Sequence, residues 1–334
     1  MPPPPPYAPQ PGYPYGYGYP GPPPPKRTSG WVWAIVAIAL LGMIFIILAA
    51  IWASVFKAIA SGVGVNDTSE SAFATSSIGV IDINGVIMDA DKVDKQLEKF
   101  GDDSNVKAIV LHINSPGGGA AASQEIYHEV LRVRQDKHKM VVASVESMGA
   151  SGAYYIASAC DKIYANPASV VGSIGVIMEW TNVGDLMKWA KLKPVTITKG
   201  DLKDAGDPNR DMTPKEQAYF QSLVDNMYGQ FVHDVAVGRH TTDDKILPLA
   251  TGQVWTGQQA QPLGLIDAQG GYRVALLETA KAVGINGEPH VVKPPKDKHG
   301  LLALMTGDSD DADSLIPTPS QMLNRSPGFY FLWK

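Results

Sequence analysis

The sequence of 334 residues contains one cysteine, Cys160, which excludes an intrachain disulfide framework and any zinc cluster built from cysteines. It also lacks a basic excess. Lys and Arg number 28 against 33 Asp and Glu, a formal net charge of -5, so the phosphate-neutralising surface of a nucleic-acid binder is missing and nucleic acid is not expected as a partner. Histidine is sparse: His112, His128, His138, His233, His240, His290 and His299 all fall outside Gly-rich or otherwise distinctive settings. No pattern calls for a metal or a cofactor, and none is expected.

Aliphatic residues are nearly absent from residues 1–30, a Pro/Gly/Tyr tract with nothing to bury. Disorder is expected there, as a solvated spacer or as a docking tail of polyproline II stretches. Charge is then absent from Trp31 to Phe56. At about 1.5 Å per residue that helix exceeds the roughly 30 Å hydrocarbon core of a bilayer, so one transmembrane signal anchor is expected. Trp31, Trp33 and Trp52 lie near its ends, and Lys26 with Arg27 precede it while Lys57 follows, which points the N-terminus to the cytoplasm and the remainder outward. Small residues around Ala53 to Ala60 leave cleavage as the other reading. Residues 57–76 read as a linker, 77–295 as the folded domain and 296–334 as a C-terminal tail.

The folded part opens at Ser77 with a strand, a turn at Asn84 and Gly85, and a second short strand to Met88. Val106–Ile113 and Met140–Val145 are nearly continuous apolar runs, the mark of parallel strands covered on both faces. Helices are expected over 120–135 and 150–159, and a brief strand over 162–165. This alternation predicts an α/β domain with a mainly parallel sheet and right-handed crossovers.

Two strand-to-helix junctions carry chemistry, both at carboxyl ends of strands, where open α/β sheets present their sites. Asn114-Ser115-Pro116-Gly117-Gly118-Gly119 follows the first apolar run. Its glycines permit a backbone whose N–H groups turn toward a ligand, the design of an oxyanion hole, or they simply make a tight turn. Ser147 to Tyr155 follows the second, with Ser151 between Ala150 and Gly152. Ser151 reads as an approachable nucleophile or as an N-cap. A serine hydroxyl needs a base, and with no histidine in a suitable setting a buried lysine is the alternative. Its pKa must fall from about 10.4 to 7 or 8, roughly 3 to 5 kcal/mol, which desolvation is able to supply.

Three motifs in order, NSPGGG at 114–119, SMGASGAYYIASACDKIYANPASVVGSIGVI at 147–177 and KGDLKDAGDPNRDMTPKEQ at 199–217, resemble the signal peptide peptidase A group of membrane-bound serine peptidases. This is the S49 type, related to the Clp protease and crotonase folds, and the likeness covers about Ser77 to His290. The resemblance implies Ser151 as nucleophile, Lys203 as general base and Ser173 as the residue that orients the lysine amine. Backbone N–H groups at Gly117 and Gly118 would bind the oxyanion. It further implies apolar peptide substrates such as remnant signal peptides, a homo-oligomer whose neighbouring subunits complete the site, and an extracytoplasmic domain anchored to the cell membrane. The chain departs from the usual pattern at Ala153 and in the lysine motif, where Lys199 competes with Lys203. Other readings are a crotonase-like acyl-CoA enzyme and a catalytically idle peptide-binding scaffold. The end of the chain, SPGFYFLWK, is unusually apolar for a terminus. It is expected to dock in a peptide groove, its own or a neighbour's, or to lie beside the membrane.

Overall fold

In a computed structural model, the described residues are 76–294, 328–333 and nine positions near the N-terminus. Those nine, Ile35, Ile38, Leu40 and Gly42 to Ile47, are helical and exposed. Among the described residues no helix is long and apolar enough to cross a membrane. Most of the expected span Trp31–Phe56, the Pro-rich tract, the linker and most of the C-terminal tail lie outside the described residues.

Val, Ile and Leu in unbroken runs build the centre of the domain. Strands β1 (Ser77–Asn84), β2 (Val106–Ser115) and β4 (Met140–Ala150) lie side by side and parallel, with β10 (His290–Val292) outside β1, and β5 (Lys162–Ala165) then β9 (Ala268–Gln269) beyond β4. Val80, Ile81, Ile109, Val110, Leu111 and Val142 have no exposed surface, as strands covered on both faces require. Burying each such side chain contributes roughly 1.5–3 kcal/mol. Helices α1 (Asp91–Asp102), α2 (Ala120–Asp136) and α3 (Gly152–Ser158) cover one face, and the late helix Tyr272–Ala282 packs on β2 and β4.

The sheet is interrupted where the site lies. Ile113 is opposite Val145, but Ser115 is opposite Gly149, so two steps along β2 match four along β4. The extra length bends β4 away from β5 and brings Met148 to Ala150 against β6 (Val170–Gly172), which pairs antiparallel with β8 (Val254–Thr256). The same irregularity sets the two chemical motifs next to each other.

A second, three-stranded sheet sits over this point, in the order β3 (Gly117–Gly119), β11 (Gly328–Leu332), β7 (Ile177–Glu179), all antiparallel. The three glycines are therefore a strand rather than only a turn. Ile87, expected in a short second strand, makes a single bridge to Gly118. The helix expected from Ala150 begins at Gly152, because β4 runs on through Ala150.

Candidate active site

Ser151 is 1 % exposed and occupies the N-cap position of α3 with φ 55° and ψ −118°, yet its side chain makes no capping hydrogen bond. The capping alternative fails on that observation. Positive φ on a non-glycine residue costs on the order of 1–3 kcal/mol and persists where surroundings over-determine it. Here the Ser151 N–H donates to the Gly172 carbonyl at 2.7 Å, and the Tyr155 N–H donates to the Ser151 carbonyl at 2.8 Å. Tyr154 and Tyr155 hold α3 in place. The Tyr154 hydroxyl donates to the Leu265 carbonyl at 2.8 Å, and that of Tyr155 donates to the Asp234 carboxylate. Burial raises the pKa of both phenols, so both remain neutral donors.

Ser173 repeats the pattern with φ 53° and 5 % exposure, its N–H donating to the Gln253 carbonyl at 2.8 Å. Both serines line one cleft of about 460 Å³, together with Ile177, Tyr228, Thr251, Leu332 and Trp333. Sequence reasoning did not single out Tyr228 or Thr251, which arrive from distant segments with no local signal.

The glycines are fitted by contact. Gly117 has φ +94°, and a Cβ there would lie 2.1 Å from the Phe331 carbonyl oxygen and 2.6 Å from the Gly152 nitrogen. A Cβ on Gly118 would lie 1.9 Å from the Ile87 carbonyl oxygen. The Gly117 carbonyl accepts from the Ile87 N–H at 2.9 Å, and the Gly119 N–H donates to the Ile87 carbonyl at 2.8 Å. Gly118 therefore turns its own N–H and carbonyl to the opposite edge, toward β11. Gly152, which directly follows Ser151, also tolerates no side chain, since a Cβ would meet Ser123 Oγ at 2.3 Å.

The lysines stand apart. Lys203 and Lys199 are both exposed, and no lysine or histidine is among the described residues lining the cleft. Lys203 belongs to a turn in which its N–H donates to the Gly200 carbonyl at 3.1 Å. Beyond it Arg210 grips Asp204 at 3.2 Å and Glu216 at 2.5 Å, and Glu216 closes a capping box with Thr213 at the start of α4 (Pro214–Gly238). Arg210 and the Thr213 N–H pull the Glu216 carboxyl down to about 2.

The match of the chain to the peptidase family S49 model runs over residues 133–286, and to the Clp protease model over residues 73–171. A provisionally named protease of Synechocystis is 36 % identical over 225 residues, 67 % of this chain and 79 % of that protein. A provisionally named signal peptide peptidase of Enterococcus faecium is 31 % identical over 254 residues, 72 % of this chain and 73 % of that protein. The chain belongs to peptidase family S49. Protease 4 of Haemophilus influenzae is 30 % identical over 226 residues, 65 % of this chain but only 36 % of its own length. The mainly parallel Clp-protease-like α/β fold agrees with the sheet described above, and the S49 match takes in Ser151, Ser173 and Lys203.

Proposed function

We propose that this S49 peptidase is a membrane-anchored serine endopeptidase in which Ser151 attacks the peptide carbonyl, Lys203 is the general base and Ser173 orients the lysine amine. The reading rests above all on Ser151 and Ser173 facing one cleft with the glycine strand beside them. The Gly118 N–H turns toward β11, and the Gly152 nitrogen, next after Ser151, lies 2.6 Å from where a Gly117 Cβ would be. These donors suit the oxyanion of a tetrahedral intermediate, where loss of one donor costs on the order of 100-fold or more. Gly117, the other residue proposed for the oxyanion hole, supplies the positive φ that sets this edge, and its N–H donates to Ser115 Oγ at 3.1 Å.

Lys203 is exposed on its own subunit, so the base reaches Ser151 from a neighbouring copy in a homo-oligomer, as the family resemblance implies. The segment carrying it shows exposed Trp189, Leu192, Val195 and Ile197, between 56 % and 93 % exposed, apolar surface suited to a partner subunit. Substrates are extended apolar peptides, and the name of the Enterococcus relative points to signal peptide remnants. The uncharged segment Trp31–Phe56 anchors the enzyme with its catalytic domain outside the cytoplasm.

Mixing two inactive variants of the full chain tests this. Ser151→Ala and Lys203→Ala are each expected to lose cleavage of an apolar signal-sequence peptide, and co-expressed they regain a fraction of wild-type activity. Full activity of Ser151→Ala overturns the nucleophile. Loss in Lys199→Ala with retention in Lys203→Ala moves the base, and no recovery on mixing rejects completion between subunits.

A further inference from the structure

Strands paired in register put residues from separate segments on one face, and across β1, β2 and β4 one such row reads Asp82, His112, Ser144. His112 Nδ1 is 3.1 Å from Asp82 Oδ1, and Lys293, just after β10, donates to the other Asp82 oxygen at 2.9 Å. Burial works against the Asp82 charge, but hydrogen bonds from Lys293 and His112 hold its carboxyl below the usual range, so it is an ionised acceptor. The proton in the Asp82–His112 bond therefore sits on Nδ1. Tyr272, in the first turn of the late helix, lies against the imidazole with ring centroids 4.8 Å apart, and burial raises its phenol so that it stays neutral. On β4 the Ser144 hydroxyl is fully buried and bonds to nothing among the described residues, while the Glu146 carboxylate faces His112 Nε2 at 3.9 Å.

Glu146 occupies a sensitive place. It opens the stretch 146–148 that stands opposite Asn114 alone, the irregularity that carries β4 over to β6 and brings Ser151 to the glycine strand. Its backbone is fixed on the far side, where its carbonyl accepts from Ser169 Oγ and from Asn166 Nδ2 at 3.4 Å. Its side chain is the handle on the β2 side. With His112 neutral, Nε2 turns a lone pair toward the carboxylate, and 3.9 Å is too long for a hydrogen bond. A second proton makes Nε2 a donor, and a charge-assisted N–H···O bond closes to about 2.7–2.9 Å. The Glu146 side chain is 52 % exposed and has room to make that move.

We propose that His112 is a positioning residue for the nucleophile: as an imidazolium it clasps Asp82 and Glu146 together and braces the irregular stretch of β4 that leads into Ser151. The inference rests on Ser151 being the nucleophile. Histidine changes charge between about pH 5 and 8, so the brace is made in acid and released in alkali. It aligns the attacking strand rather than the peptide, which places its effect on kcat and not on KM. One partly exposed ion pair is a modest lever, and about threefold is expected.

The full chain is assayed on an apolar signal-sequence peptide from about pH 5.5 to about pH 8.5, and each variant is read as a ratio to wild type, which cancels titration of the general base. Glu146→Gln, a change to an exposed carboxyl, is expected to lower kcat about threefold at the acid end and to match wild type at the alkaline end. His112→Arg is charged at every pH; it is expected to match wild type in acid and to exceed it about threefold in alkali, a gain that adding Glu146→Gln removes. KM is expected to change less than about twofold throughout. Should His112→Arg not fold, the Glu146→Gln profile decides alone. Ratios that do not vary with pH, or effects confined to KM, overturn the positioning role, and with Ser151→Ala inactive they leave the protease reading intact. Full activity of Ser151→Ala removes the nucleophile and the inference with it.

Discussion

The backbone N–H of Ser151 is bonded to the carbonyl of Gly172 at 2.7 Å, and Ser173 comes next in the chain. That one bond couples two strained serines, φ 55° and 53°, through the β4–β6 pairing. The strain is imposed by the sheet, so a substitution that keeps the Cβ does not release it.

Strain at Ser151 predicts a trade between stability and activity. Ser151→Gly removes a steric cost of on the order of 1–3 kcal/mol and gives back about 0.5–1 kcal/mol in unfolded-chain entropy. It is expected to be about 1 kcal/mol more stable than Ser151→Ala, which keeps the Cβ, a rise in Tm of about 2–4 °C for a domain of this size. Both variants are expected to be inactive. Thermal unfolding of the three proteins checks the order.

Gly118→Ala is expected to cost about 2 kcal/mol or more, since the new methyl would sit 1.9 Å from the Ile87 carbonyl oxygen, part of the backbone. It also displaces the N–H proposed for the oxyanion. Chemical denaturation should show a lower midpoint, and any folded fraction should show a loss in kcat larger than the change in KM.

The domain was legible in sequence wherever buried runs did the work. Val106–Ile113 and Met140–Val145 read as central strands because both faces are covered, and the motifs at 114–119 and 147–155 read as strand ends. Their meeting was not legible. It depends on the irregularity between Ile113 and Ser115, a property of pairing and not of either segment. Lys203 looked like a surface lysine by composition, and on its own subunit it is exposed. Only the family pattern gave it a role, and the proposed supply of the base across subunits would leave no burial signal in one chain. Phe231 lies mid-helix, and its part in a side-chain pocket depends on where β11 docks.

The clamp around Arg210 gives the lysine-bearing segment a pH dependence. Glu216 is held down to about 2 in the fold, chiefly by Arg210. A depressed carboxyl contributes stability that is fully present above its unfolded value and is lost as pH falls toward its folded one. Glu216→Gln is therefore expected to be less stable than wild type at pH 7, with the gap narrowing from about pH 4.5 down to about 2. Proteolysis within residues 199–213 should speed up in the variant at neutral pH and in both proteins in acid.

Removal of residues 328–334 separates the two roles of the terminal strand. Phe331 is buried against Tyr155 and Phe231, so its loss is expected to cost about 2–3 kcal/mol of stability. The same deletion bares the edges of β3 and β7, and an added peptide no longer has to displace a tethered competitor. KM for an apolar peptide is expected to fall several-fold while kcat stays within about twofold, since only binding is altered. A synthetic peptide of sequence Gly-Phe-Tyr-Phe should inhibit the shortened enzyme and restore part of the lost Tm, as a ligand that binds only the folded state must. A shortened enzyme with unchanged KM and no response to that peptide would mean that substrate enters by another edge.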